Sequence, residues 1–292
     1  MKLLRYGPRG AEKPALIDSQ GRWRDLSALL PDISAATLAP AVLAGLARAV
    51  APDAEPLPLL EAAGHRIAPP WSGMGKFICV GLNYADHAAE AGMPLPAEPV
   101  LFMKPPSCVI GAEDALVLPP GAEKADWEVE LGVVIGSMAR HVGVEQALQH
   151  VAGYCVVNDV SERSYQLERG GTWDKGKGCD SFGPVGPWLV TADEIADVQQ
   201  LSLWLDLNGQ PQQRGSTATM VFGVAELVSY VSRFMTLYPG DLISTGTPPG
   251  VGMGVKPVPR FLHPGDQLRL GIAGLGEQRL QVHAYDPALL GD

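Results

Sequence analysis

The chain has 292 residues, of which 46% are apolar and 18% are charged, so global disorder is excluded and a sizeable core is expected. Its formal net charge of −10 repels phosphate backbones, which argues against nucleic-acid binding and means that an anionic substrate needs a local positive centre. The four cysteines form no CxxC pair and no apolar run is long enough to span a membrane, so we expect a cytoplasmic protein with neither disulfides nor a membrane segment.

The first 70 residues are predicted to form a small N-terminal α+β domain. Lys2–Tyr6 and Ala15–Asp18 have the pattern of short strands, and the Ala- and Leu-rich segment Thr37–Val50 has that of a helix. The proline-rich run from Pro52 to Pro70 is typical of a linker that ends in an extended segment. We therefore expect a domain boundary at residue 70 and a catalytic domain over residues 71–292.

The second part of the chain alternates short apolar runs with turn residues, and its predicted strands outnumber its helices. This balance predicts a β-rich α+β fold. The predicted strands are Phe77–Val80, Val100–Met103, Glu128–Ile135, Gly153–Asn158, Val185–Val190, Leu203–Leu207, Asp241–Ser244, Gln267–Ile272 and Arg279–Ala284. The predicted helices are Tyr84–Ala91, Val144–His150, Glu162–Glu168 and Val224–Phe234.

A helix directly after the first of these strands carries a candidate acid–base pair. His87 and Glu90 are i and i+3 neighbours on the predicted helix, and a carboxylate that orients an imidazole forms a general-base pair. The same spacing also fits an exposed polar helix face. Residues 84–98 are rich in Gly and Pro toward their end, which is typical of a mobile lid over a site or of an ordinary loop.

Two carboxylates lie on one face of the strand Glu128–Ile135. Because strand side chains alternate, the odd-numbered residues 127–135 share an apolar face and Glu128 and Glu130 lie opposite, about 7 Å apart. Asp159 follows the next apolar strand, so the three could bind one hard cation such as Mg²⁺, Mn²⁺ or Ca²⁺. Two alternatives stay open: a solvated strand face for the glutamates, and a helix N-cap for Asp159.

Two glycine-rich segments are candidates for anion binding. Gly170–Gly178 approximates a phosphate-binding loop, but Gly178 replaces the required Ser or Thr and the preceding segment is helix-like, so we reject that motif. Lys177 within it can still approach an anion. The turn Thr245–Gly252 offers backbone N–H groups and Thr hydroxyls to a carboxylate, or it is a purely structural turn.

Taken together, these segments resemble the fumarylacetoacetate hydrolase family. The resemblance covers roughly Lys76 to Tyr285, and its motifs occur in the family's order. They are Gly-Leu-Asn-Tyr-x-x-His-x-x-Glu (Gly81–Glu90), Glu-x-Glu (Glu128–Glu130), Asn-Asp-Val-Ser-x-Arg (Asn158–Arg163), Lys-Gly-x-Asp-x-Phe-x-Pro-x-Gly-Pro (Lys177–Pro187) and Thr-Gly-Thr-Pro-x-Gly-Val-Gly (Thr245–Gly252).

The resemblance implies a fumarylacetoacetase-type mixed β-sheet roll, a homodimer and an Mg²⁺ or Mn²⁺ ion held by Glu128, Glu130 and Asp159. The chain looks like the shorter acylpyruvate-hydrolase branch, so Asp86 is not assigned to the metal. The resemblance also implies the following roles: a catalytic dyad of His87 and Glu90, a catalytic and anion-binding Lys177, and substrate contacts from Gln166, Thr247 and Arg163.

The implied activity is hydrolysis of a C–C bond in a 2,4-dioxo acid with release of pyruvate. Candidate substrates are acylpyruvates and 2,4-diketo-3-deoxy sugar acids such as the fuconate and rhamnonate derivatives. The N-terminal layout resembles both proteins labelled ureidoglycolate lyase and hydrolases of these sugar acids, and we prefer the hydrolases because C–C hydrolysis follows directly from a dyad plus a metal. Ureidoglycolate cleavage, oxaloacetate decarboxylation and 2-oxoacid isomerisation are alternatives on the same fold. A non-catalytic metal- or ligand-binding protein is the alternative of another class.

Overall fold

The computed structural model describes residues 1–51, 54, 56–90, 92 and 94–291. Its strands are β1 (Lys2–Tyr6), β2 (Lys13–Ile17), β3 (Trp23–Asp25), β4 (Leu59–Leu60), β5 (Ile67–Ala68), β6 (Phe77–Gly81), β7 (Val100–Lys104), β8 (Val109–Ile110), β9 (Leu116–Val117), β10 (Ala125–Asp126), β11 (Val129–Ile135), β12 (Val151–Asn158), β13 (Ser161–Glu162), β14 (Gly183–Thr191), β15 (Ser202–Leu207), β16 (Gln210–Ser216), β17 (Leu242–Ser244), β18 (Gln267–Ile272) and β19 (Gly276–His283). Its α-helices are α1 (Pro40–Ala49), α2 (Ala85–Glu90), α3 (Val144–Ala147), α4 (Arg163–Leu167), α5 (Asp174–Lys177), α6 (Val224–Ser232) and α7 (Pro287–Leu290).

Two sheets form the frame of the fold. The larger is mixed and 12-stranded, with the main order β4-β3-β2-β1-β14-β12-β11-β17-β6-β7, while β5 pairs with β1 and β8 with β14. The smaller has five strands in the order β16-β15-β18-β19-β9. Side chains of the smaller sheet join those of β11 and β12 in one apolar core, and α1 contributes to a second core on the opposite face of the large sheet. The predicted β-rich α+β class is confirmed.

Strand β11 lies in the interior, between β12 and β17. Its alternation is as predicted: Val129, Leu131, Val133 and Ile135 belong to one core, and Val134 belongs to the other. Every residue of the strand is buried. Glu128, which directly precedes the strand, is buried as well, so the alternative of a solvated face for the glutamates is wrong.

The N-terminal strands continue the large sheet. Strand β1 pairs antiparallel with β14, where Leu3 faces Leu189, and β2 follows on its other side. The sheet thus runs across residue 70 without a break, and the predicted boundary at that residue stays a prediction. Part of the predicted linker, at positions 52, 53 and 55, lies outside the described residues, and its remainder contains the short strands β4 and β5.

Most differences from the predicted elements lie at their ends. The helix predicted over Thr37–Val50 is a 3₁₀ turn at Ala35–Leu38 followed by α1, since Pro40 favours the first position of a helix. Glu162, not Asp159, accepts the N-capping hydrogen bond of α4, so the capping alternative for Asp159 is wrong. The predicted helix end at Ala91 lies outside the described residues.

Strand β16 was not predicted, because its sequence Gln-Pro-Gln-Gln-Arg-Gly-Ser has no apolar alternation. It pairs antiparallel with β15 through a tight turn at Asn208 and Gly209, which both have positive φ angles of 52° and 74°. An Asn-Gly turn between two pairing strands is a strong hairpin signal, so the polar strand follows from the turn rather than from its own pattern. Among the described residues, no helix is long and apolar enough to cross a membrane.

A partly buried ion pair anchors the end of the proline-rich segment to the second part of the chain. Arg66 donates two hydrogen bonds to Asp114, both 2.7 Å long, and the backbone N–H of Gly111 donates a third at 2.8 Å. Burial opposes ionisation of Asp114, but these hydrogen bonds outweigh it and lower its pKa. Ionised Asp114 therefore stabilises the folded state at pH values above the pKa that its side chain has in the unfolded chain. This stabilisation is lost as the pH falls through the lower pKa that Asp114 has in the folded state.

Replacing Asp114 with Asn should lower the free energy of unfolding by about 1–3 kcal/mol at pH 7, because it removes the charge from these hydrogen bonds. The deficit relative to wild type should shrink as the pH falls below about 4, where wild-type Asp114 also loses its advantage. Urea denaturation at several pH values measures both effects. Glu113→Gln, an exposed neighbour, is the control. A deficit that does not depend on pH would contradict the role of the ion pair.

Candidate metal centre and active site

Three buried carboxylates converge where β11 begins beside the end of its antiparallel neighbour β12. Glu130 is paired with Val157 on β12, and the backbone N–H of Asp159 donates to the carbonyl oxygen of Glu128 at 2.9 Å. This register brings one carboxylate oxygen each from Glu128, Glu130 and Asp159 within 4.8 Å of one another. The structure therefore brings together the three residues that the sequence predicts as metal ligands.

Three buried cations form ion pairs with two of these carboxylates, Glu128 and Asp159. Lys177 donates to Glu128 at 2.6 Å and to Asp159 at 2.7 Å. Arg163 donates to the other oxygen of Glu128 at 2.6 Å, and Lys104 donates to the other oxygen of Asp159 at 2.6 Å. Since a lysine ammonium carries three N–H donors, Lys177 keeps one donor for a ligand in the cavity.

The carboxylates differ in how easily they ionise. Burial raises the pKa of Glu130 well above its usual range, and the charges of Asp159 and Glu128 add to the effect, although Ser244 donates to Glu130 at 2.6 Å. Burial also opposes ionisation of Glu128, but Lys177 outweighs it together with Arg163 and lowers the pKa of Glu128 to about 2. A cation between the carboxylates would relieve the repulsion that Glu130 experiences.

The charges of the cluster fit a divalent ion. Four carboxylates stand against three cations, which leaves one formal negative charge; the members are Asp126, Glu128, Glu130, Asp159, Lys104, Arg163 and Lys177. A divalent ion would change that excess to one positive charge, which suits an anionic ligand. The donor set of hard carboxylate oxygens is the one that Mg²⁺ and Mn²⁺ prefer.

Asp126 is a buried member of the cluster for which the sequence analysis gave no role. It accepts from Arg163 at 2.9 Å and from the backbone N–H groups of Gly252 and Met253 at 2.6 and 3.0 Å. A Cβ at position 252 would lie 2.8 Å from the Asp126 carboxylate, so this close approach requires glycine. The sequence does contain one indication of this role. Residue 126 precedes Glu128 by two positions, and side chains two apart on an extended chain lie on the same face.

Lys104 and Gln213 were also missed. Lys104 is the last residue of the apolar strand β7 and is only 1% exposed. A lysine is almost never this buried unless it has a charged partner, which here is Asp159. Gln213 lies on the unpredicted strand β16 and donates to the hydroxyl of Thr247 at 2.8 Å. Thr247 itself donates to the carbonyl oxygen of Val129 at 3.0 Å, so the substrate-contacting residue predicted here is held firmly from two sides.

The predicted His–Glu pair forms on α2. The Nδ1 atom of His87 lies 3.1 Å from a carboxylate oxygen of Glu90, and Glu90 also accepts from the backbone N–H of Gly250 at 3.1 Å. A carboxylate acceptor favours the tautomer with the proton on Nδ1, which leaves a lone pair on Nε2. Residues 91 and 93 of the predicted lid lie outside the described residues, and mobility of the 84–98 segment stays a prediction.

A single cavity of about 370 Å³ joins the His–Glu pair to the cluster. Its floor is formed by the buried side chains of Glu128, Glu130 and Lys177, and Gln166, which accepts from Arg163 at 3.0 Å, also lines it. Besides these, the lining includes His87, Glu90, Arg163 and Thr247. All predicted site residues except Asp159 therefore line one cavity. Asp159 lies behind the cavity wall and accepts a hydrogen bond from Lys177, which does line it.

Comparison with known proteins identifies the family. Residues 76–283 match the family described as fumarylacetoacetate (FAA) hydrolase C-terminal. The chain belongs to the fumarylacetoacetate hydrolase family. The resemblance inferred from the ordered motifs and the predicted fold type are thus confirmed.

Proteins similar to the chain include ones named as hydrolases and as isomerases. A Burkholderia orbicola protein that is provisionally named a hydrolase is 61% identical over 278 residues, which cover 95% of this chain and 97% of that protein. The structure of a 5-carboxymethyl-2-hydroxymuconate delta-isomerase from Mycobacterium smegmatis is 31% identical, with a TM-score of 0.77 over 98% of this chain and 100% of that chain. A maleylpyruvate hydrolase from Sphingobium sp. SYK-6, in complex with manganese (II) ion and pyruvate, is 27% identical, with a TM-score of 0.81 and the same coverage. These relatives support an enzymatic role.

Replacing Glu130 with Gln should weaken Mn²⁺ binding by more than about tenfold, since loss of an outer-shell partner alone costs about 10–100-fold. The amide should leave the fold intact, because burial favours the neutral form of this side chain. Isothermal titration calorimetry measures the affinity, and thermal denaturation checks the fold. Glu145→Gln, on the exposed face of α3, is the control. Wild-type affinity in Glu130→Gln would remove Glu130 from the ligand set.

Replacing Asp126 with Asn should weaken Mn²⁺ binding by about 10–100-fold, although Asp126 is not itself a proposed ligand. The reason is that Arg163 would lose one of its two charged partners and orient the other, Glu128, less firmly. The same calorimetric titration measures this loss. Asp193→Asn, which removes an acidic group from an exposed 3₁₀ turn, serves as the matched control. Unchanged affinity would show that Arg163 needs no support from Asp126.

Proposed function

We propose that the protein is a metal-dependent hydrolase that cleaves a C–C bond in a 2,4-dioxo acid and releases pyruvate. The substrate is an acylpyruvate or a 2,4-diketo-3-deoxy sugar acid, and the proposed ion is Mg²⁺, which Mn²⁺ can replace. The observation that carries the proposal is one cavity lined by both a His–Glu pair and a buried carboxylate cluster with a free lysine donor. Pyruvate and manganese in the related maleylpyruvate hydrolase support it.

The floor of the cavity is suited to the 2-oxo acid end of the substrate. When held by Glu128, Glu130 and Asp159, a divalent ion would supply a chelation point and Lewis-acid polarisation for the carboxylate and 2-oxo groups. Lys177 has one donor left for the charge that develops on the departing carbon unit as its C–C bond breaks. Because the lysine is buried and held by two carboxylates, this donor is already in place before the reaction.

The His–Glu pair is suited to activating water. Glu90 accepts a hydrogen bond from the Nδ1–H group of His87, which leaves the lone pair on Nε2. Nε2 can then accept a proton from a water molecule as that water attacks the carbonyl at C4 of the substrate. The bond between C3 and C4 then breaks, and its electron pair leaves with C3 as the enolate of pyruvate. Proton transfer to that carbon completes the reaction and yields pyruvate and the second acid.

Isomerisation of a 2-oxo acid is the second candidate, and the related delta-isomerase favours it. In that case His87 would move a proton between two carbon atoms of the substrate instead of activating water. Lyase and decarboxylase activities would give products that differ from those of hydrolysis and of isomerisation. A non-catalytic binding protein would give no product. The predicted homodimer and the predicted cytoplasmic location stay predictions.

Replacing His87 with Ala should lower the rate of pyruvate release by about 10²–10⁴-fold, the usual cost of losing a general base. The assay incubates the protein with Mg²⁺ and a panel of acylpyruvates and 2,4-diketo-3-deoxy sugar acids, and it measures pyruvate and the second acid. His263→Ala, an exposed histidine outside the cavity, is the control. An unchanged rate in His87→Ala would exclude the dyad, and a rearranged product without pyruvate would favour the isomerase.

A further inference from the structure

An apolar stretch of the cavity wall begins beside the floor, where the Lys177 ammonium lies 5.0 Å from the centroid of the Phe102 ring. Phe102 and Trp173 both line it, and their rings meet edge to face with centroids 5.3 Å apart. Trp173 lies against Gly81, where an added Cβ would be only 2.8 Å from the indole ring. Val251 continues the same wall. A hydrocarbon chain can pack favourably against this wall, whereas hydroxyl groups placed against the ring faces and Val251 would lose water without gaining hydrogen bonds from them.

The rim of the cavity carries a lysine without a charged partner. Lys256 is exposed and lines the cavity together with the exposed residues Met253 and Leu167. No carboxylate within the described part of the chain lies within 4.0 Å of its ammonium group, whereas the cations Lys177 and Arg163 near the floor each bind two carboxylates. The cavity thus has a cation cluster at its floor, an apolar stretch of wall and a free cation at its rim.

We propose that Lys256 binds a second carboxylate at the far end of the substrate. This inference rests on the proposed function, in which the 2-oxo acid end occupies the floor, and it narrows the substrate to acylpyruvates whose unbranched acyl chain ends in a carboxylate. A sugar-derived chain fits less well, because its hydroxyl groups would face Phe102 and Trp173. The rim lysine also attracts a dianion toward a protein whose formal net charge is −10.

The expected contribution of Lys256 is about tenfold in affinity. A fully exposed ion pair gives a smaller effect, and a hydrogen bond to a charged group that is removed from water gives a larger one. The rim position lies between these two cases, because one side of Lys256 faces the cavity and the other faces solvent. We expect Lys256 to contribute to affinity only when the carbon chain of the ligand is long enough to reach from the floor of the cavity to its rim.

The test compares two series of 2-oxo acids of five to eight carbons, one ending in a carboxylate and one in a methyl group. These acids lack the 4-oxo group and cannot be cleaved, so calorimetric titration in the presence of Mn²⁺ measures binding alone. Wild-type protein should prefer the dicarboxylate by about tenfold at one or more chain lengths. Lys256→Met should abolish the preference, and Lys256→Arg should retain it.

Arg260→Met is the matched control, because it removes one positive charge from the same loop at a residue that does not line the cavity. It should leave the preference for dicarboxylates intact. The inference is overturned if wild-type protein shows no preference at any length, if neither series binds, or if Lys256→Met keeps the preference. Failure of the hydrolysis assay with normal dicarboxylate preference would reject the proposed reaction but not the role of Lys256.

Discussion

Burial of seven charged side chains at the end of the β11–β12 pair is the constraint on which the site depends. An isolated buried ion costs several kcal/mol, so each must have a partner of opposite charge or a proton. Lys177 and Arg163 bridge the carboxylates at 2.6–2.9 Å, and Lys104 fixes Asp159 from the far side. Of the four carboxylates in this cluster, Glu130 is the one that forms no ion pair with a described cation, and burial raises its pKa. The sheet therefore presents a cluster whose geometry is set before any ligand arrives.

One loop connects the two halves of the site. The backbone N–H of Gly250 donates to Glu90 of the His–Glu pair, and those of Gly252 and Met253 donate to Asp126 of the charged cluster. The loop also forms part of the cavity wall and carries Lys256. A displacement of this loop would therefore affect the acid–base pair, the orientation of Arg163 and the rim together. Residues of the Thr-Gly-Thr-Pro-x-Gly-Val-Gly motif therefore contact both the acid–base pair and the charged cluster.

The sequence predicted the parts of the site that have a local pattern. Strand parity alone placed Glu128 and Glu130 on one face, and helical spacing placed His87 beside Glu90, as the structure shows. It could not reveal Lys104 or Gln213, because their roles arise from contacts between distant strands and one of these strands lacks an apolar pattern. The solvated-face alternative for the glutamates was wrong for the same reason: burial of the second face depends on chain segments far away in sequence. The family resemblance, not the spacing, joined these local signals into one site.

We propose that three buried carboxylates hold a divalent ion in the cavity that binds the 2-oxo acid. A crystal soaked with Mn²⁺ and pyruvate, with anomalous diffraction recorded at the manganese edge, tests it most directly. The account predicts one strong anomalous peak about 2.0–2.3 Å from an oxygen of each of Glu128, Glu130 and Asp159, with pyruvate beside it and Lys177 within hydrogen-bond distance. A peak elsewhere, or no peak while Lys177 still bridges Glu128 and Asp159, would contradict it.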